Sequence, residues 1–233
     1  TVQFREGSVV LGSVALVNGA ATFTAPTLTP GSHSISATYT GNSLYAASSA
    51  SLVQTVNDAT GNCGASNTHC VGSGREFSSI QSAANAALPG DTVVVYPGTY
   101  SGFRVDRSGT AAAAITFTIS GPAASVVISS PAPTADGIYL GNVAYVVIDG
   151  FSIRNVSGAC IAARGAQPTS PMRGLTIRNN ACTKAQGLAG LYLSEVSRSL
   201  VENNTIQGLS TYRTHGIYLA NAGSDNTTLR HNT

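Results

Sequence analysis

Apolar and polar residues alternate in short runs along the chain, and in its second half the runs recur. Ile138-Tyr139-Leu140 is followed by Ile161-Ala162-Ala163, Leu191-Tyr192-Leu193 and Ile217-Tyr218-Leu219, at steps of 23, 30 and 26 residues. A second run centred on Ile148, Ile177, Val201 and Leu229 follows each of the first, at steps of 29, 24 and 28. Alternation with period two puts one face of a run inward and marks a short strand. Gly, Asn and Ser between the runs mark turns. Self-similarity at about 20 to 50 residues is the signature of a solenoid. Coils made only of short strands predict a parallel β-helix, in which each coil buries its apolar face against the next. Leucine-rich repeats would need a dense Leu/Asn consensus that the chain lacks.

Stacking turns the runs into columns. Ile148, Ile177, Val201 and Leu229 point inward, while Tyr139, Tyr192 and Tyr218 form an outward file interrupted by Ala162. A second outward column reads Asp149, Arg178, Glu202, Arg230, which puts opposite charges on rungs about 4.8 Å apart. Asn180, Asn204 and Asn232 fall in one turn column, where an amide both donates and accepts along the stack.

Ahead of the repeats, Phe77-Ser78-Ser79-Ile80-Gln81-Ser82-Ala83-Ala84 leads into Pro89-Gly90-Asp91 and the apolar run to Tyr100. The spacing predicts a helix over 78–88 with Ser78 as N-cap, Gln81 completing a capping box, and Pro89-Gly90 ending it. Its face of Ile80, Ala83, Ala84 and Ala87 would cover the open end of the solenoid, and Asp91–Tyr100 would begin the first coil.

With the repeats and the asparagine column, this entry segment resembles the right-handed parallel β-helix proteins of the pectate-lyase-like superfamily, over about residues 72 to 233. The resemblance implies an all-β solenoid whose lyases bind sugars in a groove along the outer strands and cleave uronates by β-elimination. That reaction needs a cation for the carboxylate, a base for the adjacent proton, and often Ca²⁺ held by carboxylates. The superfamily also contains hydrolases, epimerases and adhesins, so the resemblance bears on fold more than on activity.

Residues 1–56 differ from the rest. Alternation at Ala21-Thr22-Phe23-Thr24 and Ser34–Tyr39, with turns at Glu6-Gly7, Asn18-Gly19 and Pro30-Gly31, predicts antiparallel strands of a sandwich. Gly31–Ile35 and Ala37–Asn42 resemble bacterial immunoglobulin-like (Big-type) repeats, here truncated to about the last five strands. Such a module serves as a spacer or as a carbohydrate or partner module. Residues 57–74 read as a linker, and residues 75–233 as the β-helix.

Cys63 and Cys70 lie seven apart with no second pair at zinc spacing, so we expect a disulfide, and His69 is not expected to hold a metal. The register brings Cys160 and Cys182 near one another where one coil hands over to the next. An even cysteine count in a secreted chain points to a second bridge, with two buried thiols as the other reading.

Composition adds limits. Of 233 residues, 42% are hydrophobic and 9% charged, which suits an extracellular bacterial β-protein and disfavours nucleic acid. No apolar run is long enough to span a membrane. No signal peptide is visible, and the chain opens in mid-strand and stops inside a coil, so we expect a fragment of a longer secreted protein with further coils outside it. From Arg154 onward eight Lys or Arg face three acids, whereas 57–153 holds three against six, which favours an acidic glycan.

Candidate bases are Lys184, the one lysine, with Arg213 and His215. Tyr139, Tyr192 and Tyr218 are the candidate sugar platform, because flat aromatic faces suit sugar rings. No cofactor is evident. Asp136, Asp149, Glu195 and Glu202 are spread over three coils, so Ca²⁺ would belong to coils beyond these residues. The expected function is binding or cleavage of an acidic polysaccharide, foremost by a lyase; the alternative is a non-catalytic surface protein of adhesin type.

Overall fold

The computed structural model describes residues 1–25, 28, 31–56, 63, 65–129, 135–187, 189–209, 215–220 and 223–233. They form two compact units, Thr1–Thr60 and Gly61–Thr233.

In the first unit β1 (Val2–Glu6), β2 (Val9–Val14), β3 (Gly31–Tyr39) and β4 (Ser48–Val56) make one antiparallel sheet in the order β2-β1-β3-β4. Asn18 and Gly19 take positive φ at a tight turn closed by a Val17–Ala20 bridge. The strand expected over Ala21–Thr24 is not formed. Phe23 instead stacks on Phe4 with centroids 5.0 Å apart, over Gly12, where any side chain would meet its ring. Burying that ring on the sheet outweighs pairing the segment at an edge. Of the turn at Pro30-Gly31, Gly31 opens β3 and Pro30 lies outside the described residues.

The second unit is a parallel solenoid of three long sheets with seven, five and five strands. The columns fall as the alternation requires: Ile148 aligns with Ile177, Val201 and Leu229 in turn. Asp149, Arg178, Glu202 and Arg230 lie on successive rungs, with Arg178 bonded to Asp149 at 2.8 Å and Arg230 to Glu202 at 2.7 Å. The ladder thus closes as two ion pairs.

Asn204 sits at the centre of the turn column. Its Nδ2 donates to Ile177 O at 2.9 Å and Asn232 Oδ1 at 2.9 Å, while its Oδ1 accepts from Asn180 N and Nδ2 at 3.0 Å. One rung before Asn180 the column is filled by Phe151, which packs on Phe103, and Phe103 in turn on Phe117, in the core. The residue before each of these positions, Gly150, Asn179, Asn203 and His231, is left-handed. That geometry sets the tight corner and favours Gly and Asn.

Two expectations about the entry segment are corrected. The solenoid begins inside the stretch read as a linker, because Thr68–Val71 pairs in parallel with Thr92–Val95. Burial of Cys70 and Val71 on the first rung explains this, and the run is too short to show a repeat. The helix α1 spans Ile80–Ala86, and its N-cap is Ser79, whose hydroxyl accepts from Ser82 N. Gln81 therefore falls too early to close a capping box. Its amide reaches instead to the main chain of Arg104, accepting from N at 2.8 Å and donating to O at 3.0 Å. Ile80, Ala83 and Ala84 cover the first coil as expected.

Candidate functional site

The outer face of one five-stranded sheet carries the tyrosines. Its strands are Phe103–Val105, Ile138–Gly141, Ile161–Arg164, Ala189–Ser194 and His215–Ala220. Phe103, Ile138, Ile161, Leu191 and Ile217 align inward, so the next residues, Arg104, Tyr139, Ala162, Tyr192 and Tyr218, align outward. A column of this kind follows from the period of two: each inward apolar residue anchors its outward neighbour.

The side chains along the file touch. The Arg104 guanidinium lies 4.8 Å from the Tyr139 centroid and that of Arg164 4.6 Å from the Tyr192 centroid. Tyr192 stacks on Tyr218 at 5.6 Å and 23°, and His215 stacks on Tyr218 at 5.0 Å and 30°. Buried Ala162 is the break in the aromatic file. Two cations therefore rest on aromatic faces, where the ring quadrupole favours them.

Each of these arginines also meets a carboxylate. Arg104 Nε donates to Asp106 at 2.6 Å, and Arg164 reaches Asp136 Oδ2 at 3.4 Å. Asp136 is buried, and its Oδ1 accepts from Ala159 N at 2.8 Å. Asp136, Arg164, Gly187 and Tyr192 line a cavity of about 230 Å³ beside the stacked rings. The Asp136–Arg164 contact is long, and the Arg164 side chain stays 43% exposed.

The candidate bases separate. His215 joins the tyrosine file. Lys184 does not: it is exposed in a left-handed turn with φ 56, in a column with Asn155 and Gly208, and its main-chain N donates to Gln207 O. Arg213 lies outside the described residues. Arg104 and Arg164 were not singled out from the sequence, and Asp136 was considered only as one of four scattered acids. Arg164 stands two residues after Ala162, on the same outward side, but the repeat offers Gly141, Ser194 and Ala220 there, so no column announced it.

Among the described residues, carboxylates do not converge on a cation site. Asp149 and Glu202 hold arginines, Asp136 holds a main-chain N–H, and among the described residues no group of three or more His, Cys, Asp or Glu gathers at one point. The four acids named above do not fit a calcium cluster. Both disulfides are present, Cys63–Cys70 and Cys160–Cys182. Among the described residues no helix is long and apolar enough to cross a membrane.

An all-parallel solenoid with an asparagine ladder, one capping helix and an aromatic outer sheet defines the class, and the chain belongs to the right-handed β-helix family, whose model matches residues 94–233. Residues 1–57 match the bacterial Ig-like domain (group 3). Among solved structures the chain is similar to pectate lyase Pel9A, with 20% identity over 55% of this chain and 34% of that one and a TM-score of 0.45. It is also similar to an alginate lyase from Paenibacillus sp. str. FPU-7, with 17% identity over 71% of this chain and 74% of that one and a TM-score of 0.35. The chain thus spans about a third of the pectate lyase's length, 34%. A comparison with curated proteins finds no match.

Proposed function

We propose that the β-helix unit binds an acidic polysaccharide along the tyrosine sheet and cleaves it by β-elimination. The observation that carries this reading is the continuous contact Arg164–Tyr192–Tyr218–His215 over adjacent rungs. Arg164 and Tyr218 cover the two faces of Tyr192, so a sugar laid along the outer edges of Tyr192 and Tyr218 brings its carboxylate to Arg164, whose planar fork matches two carboxylate oxygens. Neutralising that charge acidifies the neighbouring C–H. His215 then takes this proton, the C–C double bond forms as the C–O bond beyond it breaks, and the leaving oxygen collects a proton from a tyrosine hydroxyl or water. Lys184 is the second candidate base, since the turn it occupies leads to Gly187 at the Arg164 cavity. Two disulfides and the Ig-like match support a secreted or surface location.

Incubation with polygalacturonate, alginate and chondroitin, followed by ultraviolet absorbance of the unsaturated uronate, tests the reading. We expect product from at least one polymer, a loss of about 10²-fold or more in kcat for His215→Ala, and a raised KM for Arg164→Gln. Binding without double-bond product from any polymer would favour the non-catalytic surface reading, and absence of binding would remove the lyase and leave a surface β-helix that merely extends.

A further inference from the structure

We propose that a second groove, at the corner between the tyrosine sheet and the seven-stranded sheet, is an anion site that takes carboxylates of an acidic glycan. A cavity of about 360 Å³ lies there, lined by Thr169, Ser170, Arg173, Ser197, Arg198 and Asp225 among others. Met172 and Val196 point into the core, so the paired strands Met172–Arg173 and Val196–Ser197 leave Arg173 exposed beside the buried Ser197. Arg198 stands one rung on, opposite Gly174, with Gly174 N donating to Arg198 O at 3.2 Å.

Arg104, Arg164, Arg178 and Arg230 each hold a carboxylate. Arg173 and Arg198 are exposed, share one cavity, and make no ion pair with any described residue. The acid in the same cavity, Asp225, accepts the Arg198 main-chain N–H through its carbonyl at 3.1 Å, and its carboxylate pairs with neither guanidinium. Two cations facing one acid leave room for a further anion. Arg198 also takes the left-handed conformation, φ 46, at a position that neighbouring rungs fill with Gly174 and Asn226.

The groove continues. Arg198 and Asn226 also line a second cavity of about 460 Å³ that extends over the outer side of the seven-stranded sheet to Arg230. An elongated polymer therefore fits better than a single small anion. The choice of glycan rests on the function proposed above, whereas the anion chemistry stands without it.

Titration of the chain with polygalacturonate and with trigalacturonate separates the two sites. We expect Arg173→Gln/Arg198→Asn to weaken polymer binding at least tenfold and to flatten its salt dependence, with trimer binding unchanged. Asn at 198 suits the left-handed turn, and circular dichroism would verify the fold. Tyr192→Ala should instead abolish trimer binding and leave polymer binding that still depends on Arg173 and Arg198. Polymer affinity unaltered in the double variant would overturn the second site. Trimer failing to bind wild type, with polymer binding still lost in the double variant, would overturn the tyrosine face and leave this groove standing.

Discussion

Gln81 pairs with Arg104 as a neighbouring strand would, one amide satisfying both the N–H and the C=O of an edge residue. Arg104 belongs to the terminal strand of the tyrosine sheet, so α1 covers the core of the first coil and also closes this edge. Open edges expose unpaired main-chain groups and invite pairing with other chains. Gln81→Ala should cost about 1 kcal/mol and speed amide exchange at Arg104. Gln81→Glu keeps the acceptor for Arg104 N–H and should cost less. Exchange rates at Arg104 equal in all three proteins would refute the edge role.

The second disulfide occupies a place that other rungs fill differently. Gly137 lies against Ile153 and Gly190 against Ile206, while at the same step Cys160 bridges Cys182, with Cα atoms 5.8 Å apart. Glycine beside isoleucine and cysteine beside cysteine are two fillings of one slot. Removing the bridge by Cys160→Ser should cost roughly 3 kcal/mol. Cys160→Gly with Cys182→Ile, which copies the adjacent rungs, should recover a large part of that loss in a thermal melt. A double variant less stable than Cys160→Ser would contradict the shared slot.

Buried and exposed ladders should differ sharply in worth. Asn204→Ala strands buried partners on both neighbouring rungs and should cost about 2 to 4 kcal/mol in denaturant unfolding. Arg178→Ala removes a half-exposed pair and should cost about 0.2 to 1 kcal/mol, while Arg178→Glu sets three acids in a row and should cost roughly 1 to 2 kcal/mol, less at high salt. Equal losses at Asn204 and Arg178 would show that the amide ladder is not a structural element.

Burial raises the Tyr100 hydroxyl above its ordinary value of 10.0, and that hydroxyl donates to Tyr96 O at 2.7 Å. The folded state therefore holds its proton after the unfolded chain has released it. The stabilisation is complete below about pH 10 and fades as pH rises toward the folded-state value. Melting temperature measured from pH 9 to 11 should fall more steeply for wild type than for Tyr100→Phe. Parallel slopes would rule the group out.

How far the fold was legible depended on repetition. Each column with a residue on every rung, such as Ile148 to Leu229 or Asn180 to Asn232, could be aligned before any coordinate, because the period of two fixes which side of the strand a residue takes. Single occurrences were not legible. Thr68–Val71 is one short run, the choice between Ser78 and Ser79 as N-cap turns on backbone geometry, and Phe23 packs on a face instead of pairing. The same limit governed the candidate site. Tyr139, Tyr192 and Tyr218 formed a visible file, while Arg104 and Arg164 became notable only when their guanidiniums were found over those rings.

The central claim is that a sugar ring lies on the tyrosine file, and the tyrosine ring signals in a proton NMR titration with trigalacturonate test it most directly. Ring currents and stacking should shift the Tyr192 and Tyr218 resonances, assigned through Phe substitutions, while those of Tyr96 and Tyr100 at the first coil stay in place. Saturable shifts confined to Tyr192, Tyr218 and their neighbours are the predicted result. Shifts elsewhere with Tyr192 and Tyr218 unmoved, or no shifts at all, would contradict it.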